Sequence, residues 1–228
     1  MMGNFRAGIA LAIATAVLAG CQLTNDERET PTLGDASRAI VANLLGRGAE
    51  TIDARDAITP AILAQVGTPV LLIVQRDVDQ GVTLVPAGVG ADGTVQWRDA
   101  TGAGLLTRGG VLVGTRGIGF DLLTVDARGT RAALAAGGGR DVLRVERHLR
   151  SDDVIVTRDY LCDVVAVDRQ VLAFYGRNYP TAIFEERCAG EGPSFVNRYW
   201  VGGDGAVRRS EVLVSPEAGV LELNLLRD

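Results

Sequence analysis

The side chains of this 228-residue chain best suited to chemistry are few: three cysteines and a single histidine, His148. A thiol near an imidazole suggests a cysteine nucleophile, because the base generates the attacking thiolate. Cys162, however, sits in Asp159-Tyr160-Leu161-Cys162-Asp163, and flanking acids raise a thiol's pKa rather than activate it. One histidine also leaves a Cys/His metal site poor in ligands. Glu185 and Glu186 could supply the two carboxyl groups of a glycoside hydrolase. Neighbours on a strand point to opposite faces, so a solvated edge is the plainer expectation for that pair. Gly114-Thr115-Arg116-Gly117-Ile118-Gly119 has the outline of a phosphate-cradling run but no helix follows it, and turn glycines account for it. No P-loop, zinc spacing or G-x-S-x-G is present. These patterns predict no catalytic residue and no metal.

Cys21 is different. Before it stand a weakly basic start with Arg6, an apolar stretch from Ala7 to Leu18, and the tetrapeptide Leu18-Ala19-Gly20-Cys21. Small residues directly ahead of a cysteine, after an apolar stretch too short to span a bilayer, are signal-peptide grammar. The tetrapeptide resembles the lipobox of bacterial lipoproteins, in which the thiol is lipidated and the chain cut before it. Residues 1–20 are then a signal peptide and residues 21–34 a lipidated tether, polar, without apolar period and about 40 Å long at most. Two or three acyl chains on one residue exceed the marginal hold of one, so the membrane is a partner through this anchor. Gln22, not Asp, follows the cysteine, which favours the outer membrane, with the domain facing the periplasm. The only cofactor expected is the covalent lipid on Cys21.

Removing residues 1–20 takes away Arg6 and no acid, leaving 22 basic against 28 acidic side chains. An acidic balance argues against nucleic acid as a partner. In an oxidising compartment Cys162 and Cys188 are most simply one disulfide, with a free thiol or a metal ligand as the alternatives. The bond would close a loop of about 27 residues, worth roughly 3–4 kcal/mol in the chain-entropy view.

The elements that must position these residues follow from periodicity. Asp35 caps a short helix in which Ile40, Val41, Leu44 and Leu45 share a face, and Gly46 stops it. Thr59-Pro60 opens a second, Pro60 to Gln65, with proline at its first position. From Pro69 the text changes. Val70 to Gln75 is a continuous apolar run rich in branched residues and reads as a buried strand. Eleven more short strands follow, the first of them at roughly ten-residue spacing: 82–86, 94–98, 104–107, 111–115, 121–125, 142–148, 154–167, 182–188, 195–201, 206–214 and 220–225. Asp92-Gly93, Arg108-Gly109-Gly110 and Gly202 to Gly205 supply hairpin turns. Ala132 to Gly139 reads as a flexible loop. Many short strands with glycine turns make an all-β sandwich or barrel, and no linker divides residues 35–228.

The strand Phe195-Val196-Asn197-Arg198-Tyr199-Trp200-Val201 carries one further candidate. Alternation puts Asn197 and Tyr199 on one face and Arg198 and Trp200 on the other. Arg198 and Trp200 form a candidate contact surface, since such residues stack on sugars or anchor in protein pockets. The competing expectation buries Trp200 in the core.

Three stretches together resemble the YjbF/GfcB family of lipoproteins from exopolysaccharide and capsule gene clusters: ITPAILAQVGTPVLLIVQ, WRDATGAGLLTRGGVLVGTRGIGFDLL and FVNRYWVGGDGAVRRSEVLVSPEAGVLELNLL. The resemblance implies a single barrel-like antiparallel β domain with one or two short N-terminal helices. It implies an accessory role in making or exporting a surface polysaccharide, with that polysaccharide, an outer-membrane β-barrel protein and periplasmic export components as partners. It carries over no catalytic residue, and it does not account for Cys162, Cys188 or the alanine-glycine stretch. The other function class is an envelope glycan hydrolase using carboxylates on the barrel rim. A cleft with two carboxyl groups about 5–10 Å apart would mark it.

Overall fold

The computed structural model describes residues 53–118, 120–150 and 154–228. The expected signal peptide, Cys21 with its expected tether, and the helix expected after Asp35 lie outside the described residues. Three helices are described: α1 (Ala54–Ala57), α2 (Pro60–Gln65) and α3 (Arg128–Ala136). The first six strands are β1 (Val70–Gln75), β2 (Gln80–Val89), β3 (Thr94–Arg98), β4 (Gly104–Arg108), β5 (Val111–Arg116) and β6 (Leu122–Asp126). The remaining six are β7 (Gly139–Leu149), β8 (Ile155–Phe174), β9 (Arg177–Gly190), β10 (Phe195–Gly202), β11 (Val207–Ser215) and β12 (Gly219–Arg227). Every strand foreseen from alternation is present.

All twelve strands belong to one sheet in the order β5-β4-β3-β2-β1-β12-β11-β10-β9-β8-β7-β6. The paired strands all run antiparallel, and β1 pairs with β12 from Val70↔Arg227 to Gln75↔Leu221. The result is an up-and-down barrel whose ends meet between β5 and β6. Side chains bridge that seam. The Thr115 hydroxyl donates to Asp121 Oδ1 at 2.8 Å and accepts from the Leu122 N–H at 2.9 Å, while Arg116 Nη1 donates to the Leu123 carbonyl at 3.0 Å. Gly114 is what lets β5 approach: a Cβ there would sit 3.0 Å from the Leu123 carbonyl oxygen.

β1 reads as an unbroken apolar run because both of its faces are covered. Leu71 and Ile73 join the barrel interior with Leu84, Leu105, Leu221 and Leu223. Val70, Leu72 and Val74 face outward and pack with Ala54, Ile58, Leu63 and Val66 of the α1–α2 segment. Both helices start on side-chain caps, Asp53 accepting from Arg55 N and Thr59 from Ile62 N, as helix N-termini require. The β8–β9 hairpin is longer than its apolar pattern. Its register shifts between Ala166 and Asp168, and past that bulge it carries Phe174 and Tyr175 to the same outer cluster.

Ala132 to Gly139 corrects the loop expectation. Arg128–Ala136 is α3, and Gly137 at φ 82° closes it with its N–H on the carbonyls of Ala133 and Leu134. Alanine is the strongest helix former, and the glycines are the stop signal rather than the body of a loop. Thr130, Ala133 and Leu134 are the buried residues of this helix.

Candidate functional site

The barrel interior has an apolar side and a polar side. On β7 the period of two sends Arg144, Glu146 and His148 inward, all buried. β9 contributes Glu186, β10 contributes Asn197 and Tyr199, and α3 contributes Thr130, all fully buried. Arg144 Nε donates to Glu146 Oε1 at 2.7 Å, and Arg144 Nη1 to Glu186 Oε2 at 3.4 Å. Glu186 also accepts from Thr130 Oγ1 at 2.5 Å, Asn197 Nδ2 at 2.8 Å and the Tyr199 hydroxyl at 2.9 Å. His148 Nε2 lies 3.1 Å from Glu146 Oε2. Asn197 Oδ1 accepts the Leu213 N–H at 3.0 Å, tying the group to β11.

The electrostatics follow from this geometry. Burial works against the Arg144 charge, but Glu186, Tyr199 and Glu146 around it outweigh that and raise its pKa. Burial also disfavours the Glu146 carboxylate, yet hydrogen bonds and charge from His148 and Arg144 leave its pKa lowered. Burial, with Glu186 adjacent, pushes the Tyr199 phenol well above its ordinary value. A paired, hydrogen-bonded buried charge is the form in which proteins tolerate one.

Cys162 and Cys188 are directly opposed on β8 and β9 and joined by a disulfide, with Cα atoms 4.1 Å apart. Their sulfurs and a Glu186 carboxylate oxygen lie within 4.8 Å of one another. A metal would need thiolates, and these sulfurs are bonded to each other. Tyr160 packs against the bridge and meets Phe195 edge to face at 5.0 Å. Cys162 and His148, the pair weighed as nucleophile and base, are thus committed to different partners.

The Glu185/Glu186 pair splits across the sheet. Glu185 faces out and is held by Arg187 at 2.8 Å and Arg198 at 2.9 Å, whose charges and hydrogen bonds lower its pKa. Glu186 is interior, which corrects the expectation of a solvated edge: β9 lies inside the sheet order between β8 and β10 as a wall of a nearly closed barrel, so its outer face is the one that meets water. Neither Glu146 nor Glu186 lines the cavities described below. Arg198 and Trp200 share the outer face as alternation requires. Arg198 is solvent-exposed beside Glu185, whereas Trp200 is 6% exposed. Trp200 Nε1 donates to Gln170 Oε1 at 2.9 Å, and the Arg209 guanidinium lies 5.6 Å from the ring. Trp200 and Tyr199 are both buried, on opposite sides of one strand, because the β8 extension covers the outer side. Of the glycine run, Gly114 lies within β5 and Gly117 takes φ 74° in the turn that follows.

One end of the barrel opens into two cavities. The wider, about 760 Å³, lies between α3, the β8–β9 bend and the Gly202–Gly205 turn, with Arg131, Arg169 and Gln170 among its lining residues. The narrower, about 450 Å³, is apolar and runs among β1, β3, β11 and β12. Val207 and Gly109 border both.

The buried cluster Arg144, Glu146, Glu186, Asn197 and Tyr199 left no separate signal in the sequence. Arg144-x-Glu146-x-His148 looks like the wet face of any half-exposed strand. The one hint was the opposite face, where Leu143 is 56% exposed.

Fold and site define a nearly closed antiparallel barrel with a disulfide-stapled, ion-paired interior and an open mouth. The chain belongs to the family described as group 4 capsule polysaccharide lipoprotein gfcB, YjbF, whose model matches residues 34–226. Among solved structures it is similar to the hypothetical lipoprotein YmcC from Escherichia coli (K12). The two are 20% identical with a TM-score of 0.66, the match covering 75% of this chain and 89% of that one. No curated protein matches.

Proposed function

We propose that this protein is a non-enzymatic accessory factor in the production or export of a capsule or exopolysaccharide, held by the lipid on Cys21 at the outer membrane and facing the periplasm. The observation that carries the reading is the family match along residues 34–226, which spans the whole barrel. The geometry supports it. At the mouth, the rim carboxylates Asp204 and Asp228 are both paired with Arg208, so neither stands as the free acid or base that hydrolysis by rim carboxylates requires. Its partners in this reading are the polysaccharide itself, an outer-membrane β-barrel protein and periplasmic export components.

Deleting the gene should abolish or sharply reduce surface polysaccharide. The full chain should restore it, and Cys21→Ala should not. Unchanged polysaccharide after deletion would refute the accessory role. New reducing ends from isolated polysaccharide incubated with the protein, lost in Asp204→Asn or Asp228→Asn at the rim, would establish the hydrolase instead.

A further inference from the structure

The narrower cavity at the barrel mouth has a chemistry of its own. Leu71, Val95, Trp97, Val207, Leu223 and Leu225 line it, drawn from β1, β3, β11 and β12. Trp97 spends its only polar atom on Thr107, donating Nε1–H to Oγ1 at 2.8 Å, so both residues present apolar surface. Protein interiors ordinarily close up to voids no larger than a water molecule. A hollow of about 450 Å³ lies instead in the range of small-molecule sites. Thr107, Arg209, Ser210 and Asp228 are the polar members of the lining; the first two and Asp228 have side-chain partners, and Ser210 does not. Ser210 is 1% exposed, and its hydroxyl has no protein partner, a condition native structures seldom leave uncorrected.

We infer that this cavity is a binding site for a neutral aliphatic chain bearing an ester, amide or alcohol, as in a lipid acyl or isoprenoid chain. The lining is mostly aliphatic and offers no sugar-binding ladder of donors and acceptors, so a glycan gains little there. A methylene chain gains burial along its length. In this assignment the unpartnered Ser210 hydroxyl would turn to a ligand carbonyl or alcohol, but it cannot compensate a buried carboxylate charge. At the rim, Asp228 is paired with Arg208 at 2.8 Å and Arg209 donates to Asn224 at 2.7 Å, so the charges of the lining are already partnered and a neutral ligand needs no counter-charge. The inference goes beyond the proposed role and does not depend on it.

The test uses the purified protein and the methyl ester of cis-parinaric acid, a polyene that accepts energy from tryptophan. Trp97 lies in the cavity wall, so saturable energy transfer at one site per chain is expected. Displacement by methyl palmitate or by farnesol supports the site and tells a straight chain from an isoprenoid. Val95→Trp fills the cavity and should weaken binding about tenfold, or about 1.4 kcal/mol. Val89→Arg acts at a lining position that is 68% exposed, where folding tolerates the change, and should weaken binding as well. Val196→Trp on the outer wall should leave affinity unchanged. Non-saturable uptake, no displacement by either competitor, or equal affinity in Val89→Arg would overturn the proposal. So would loss of binding in Val196→Trp, because the probe would then be coating the surface.

Discussion

Arg144 is the one arginine hydrogen-bonded to both Glu146 and Glu186 among the described residues, and replacing it tests the polar interior most sharply. In Arg144→Leu, two carboxylates that are 4% and 0% exposed lose their cation while keeping their burial. Glu186 retains Thr130, Asn197 and Tyr199 as neutral donors, and Glu146 retains only His148. Leaving an uncompensated buried charge costs about 3–5 kcal/mol. At roughly 2–4 °C per kcal/mol for a domain of this size, the melting temperature should fall by about 6–20 °C at pH 7. The pH dependence carries a sign. Glu146 has a lowered pKa in the folded protein, so its contribution is present above the usual glutamate value of about 4.3 and is lost as pH falls through the folded value. Without Arg144 that depression weakens, and protonating Glu146 removes its unpaired charge. The gap between variant and wild type should therefore narrow from pH 7 to pH 4. Thermal unfolding followed by circular dichroism at both pH values measures it. A loss under about 1 kcal/mol at pH 7, or a gap that stays constant with pH, would refute the account of the interior as an ion-paired network.

Two further outcomes follow from placement. Trp200→Ala should cost about 3–5 kcal/mol, the range for a buried tryptophan, while Arg198→Ala on the exposed side of the same strand should stay within about 0.5 kcal/mol; paired melting curves separate them. The Cys162→Ala/Cys188→Ala double variant, which removes a bridge spanning 26 residues, should lose roughly 3–4 kcal/mol, and thiol labelling of the unreduced, denatured wild type should find neither cysteine.

The strands were legible because each of the twelve carries at least one local signal that needs no knowledge of its neighbours. Val70–Gln75 announces itself by composition, and Asp92-Gly93 marks its hairpin with a glycine at φ 77°. The errors fall where a local signal and a global one disagree. Ala132 to Gly139 looks structureless because its alanines and glycines lack an amphipathic period, yet Thr130, Ala133 and Leu134 supply a narrow buried face. β8 was cut short at Val167 because the bulge beyond Ala166 breaks alternation, and after it come Asp168, Arg169 and Gln170. Those residues extend the strand only because β9 runs alongside and its tip finds the α1–α2 surface.

The buried polar group was not legible for a deeper reason. Alternation says which residues share a face but never which face is wet. On β1 the question does not arise, since both faces are apolar and both are covered. On β7 the usual guess, polar outward, is inverted: Arg144, Glu146 and His148 point in, while Leu143 points out opposite Leu161 of β8, itself 56% exposed. The inversion is fixed by closure of the barrel, because Glu186 and Tyr199 arrive from strands some 40 to 55 residues further on, and no window of sequence contains them together. The same closure separates the interior by chemistry. Ion pairs and the disulfide fill the β7–β10 side, and the side built from β1, β3, β11 and β12 keeps an apolar hollow open to the mouth. A barrel stiffened on one side by committed charges can leave the other side unfilled and still hold its shape, which is the structural condition for a binding cavity rather than a packing fault.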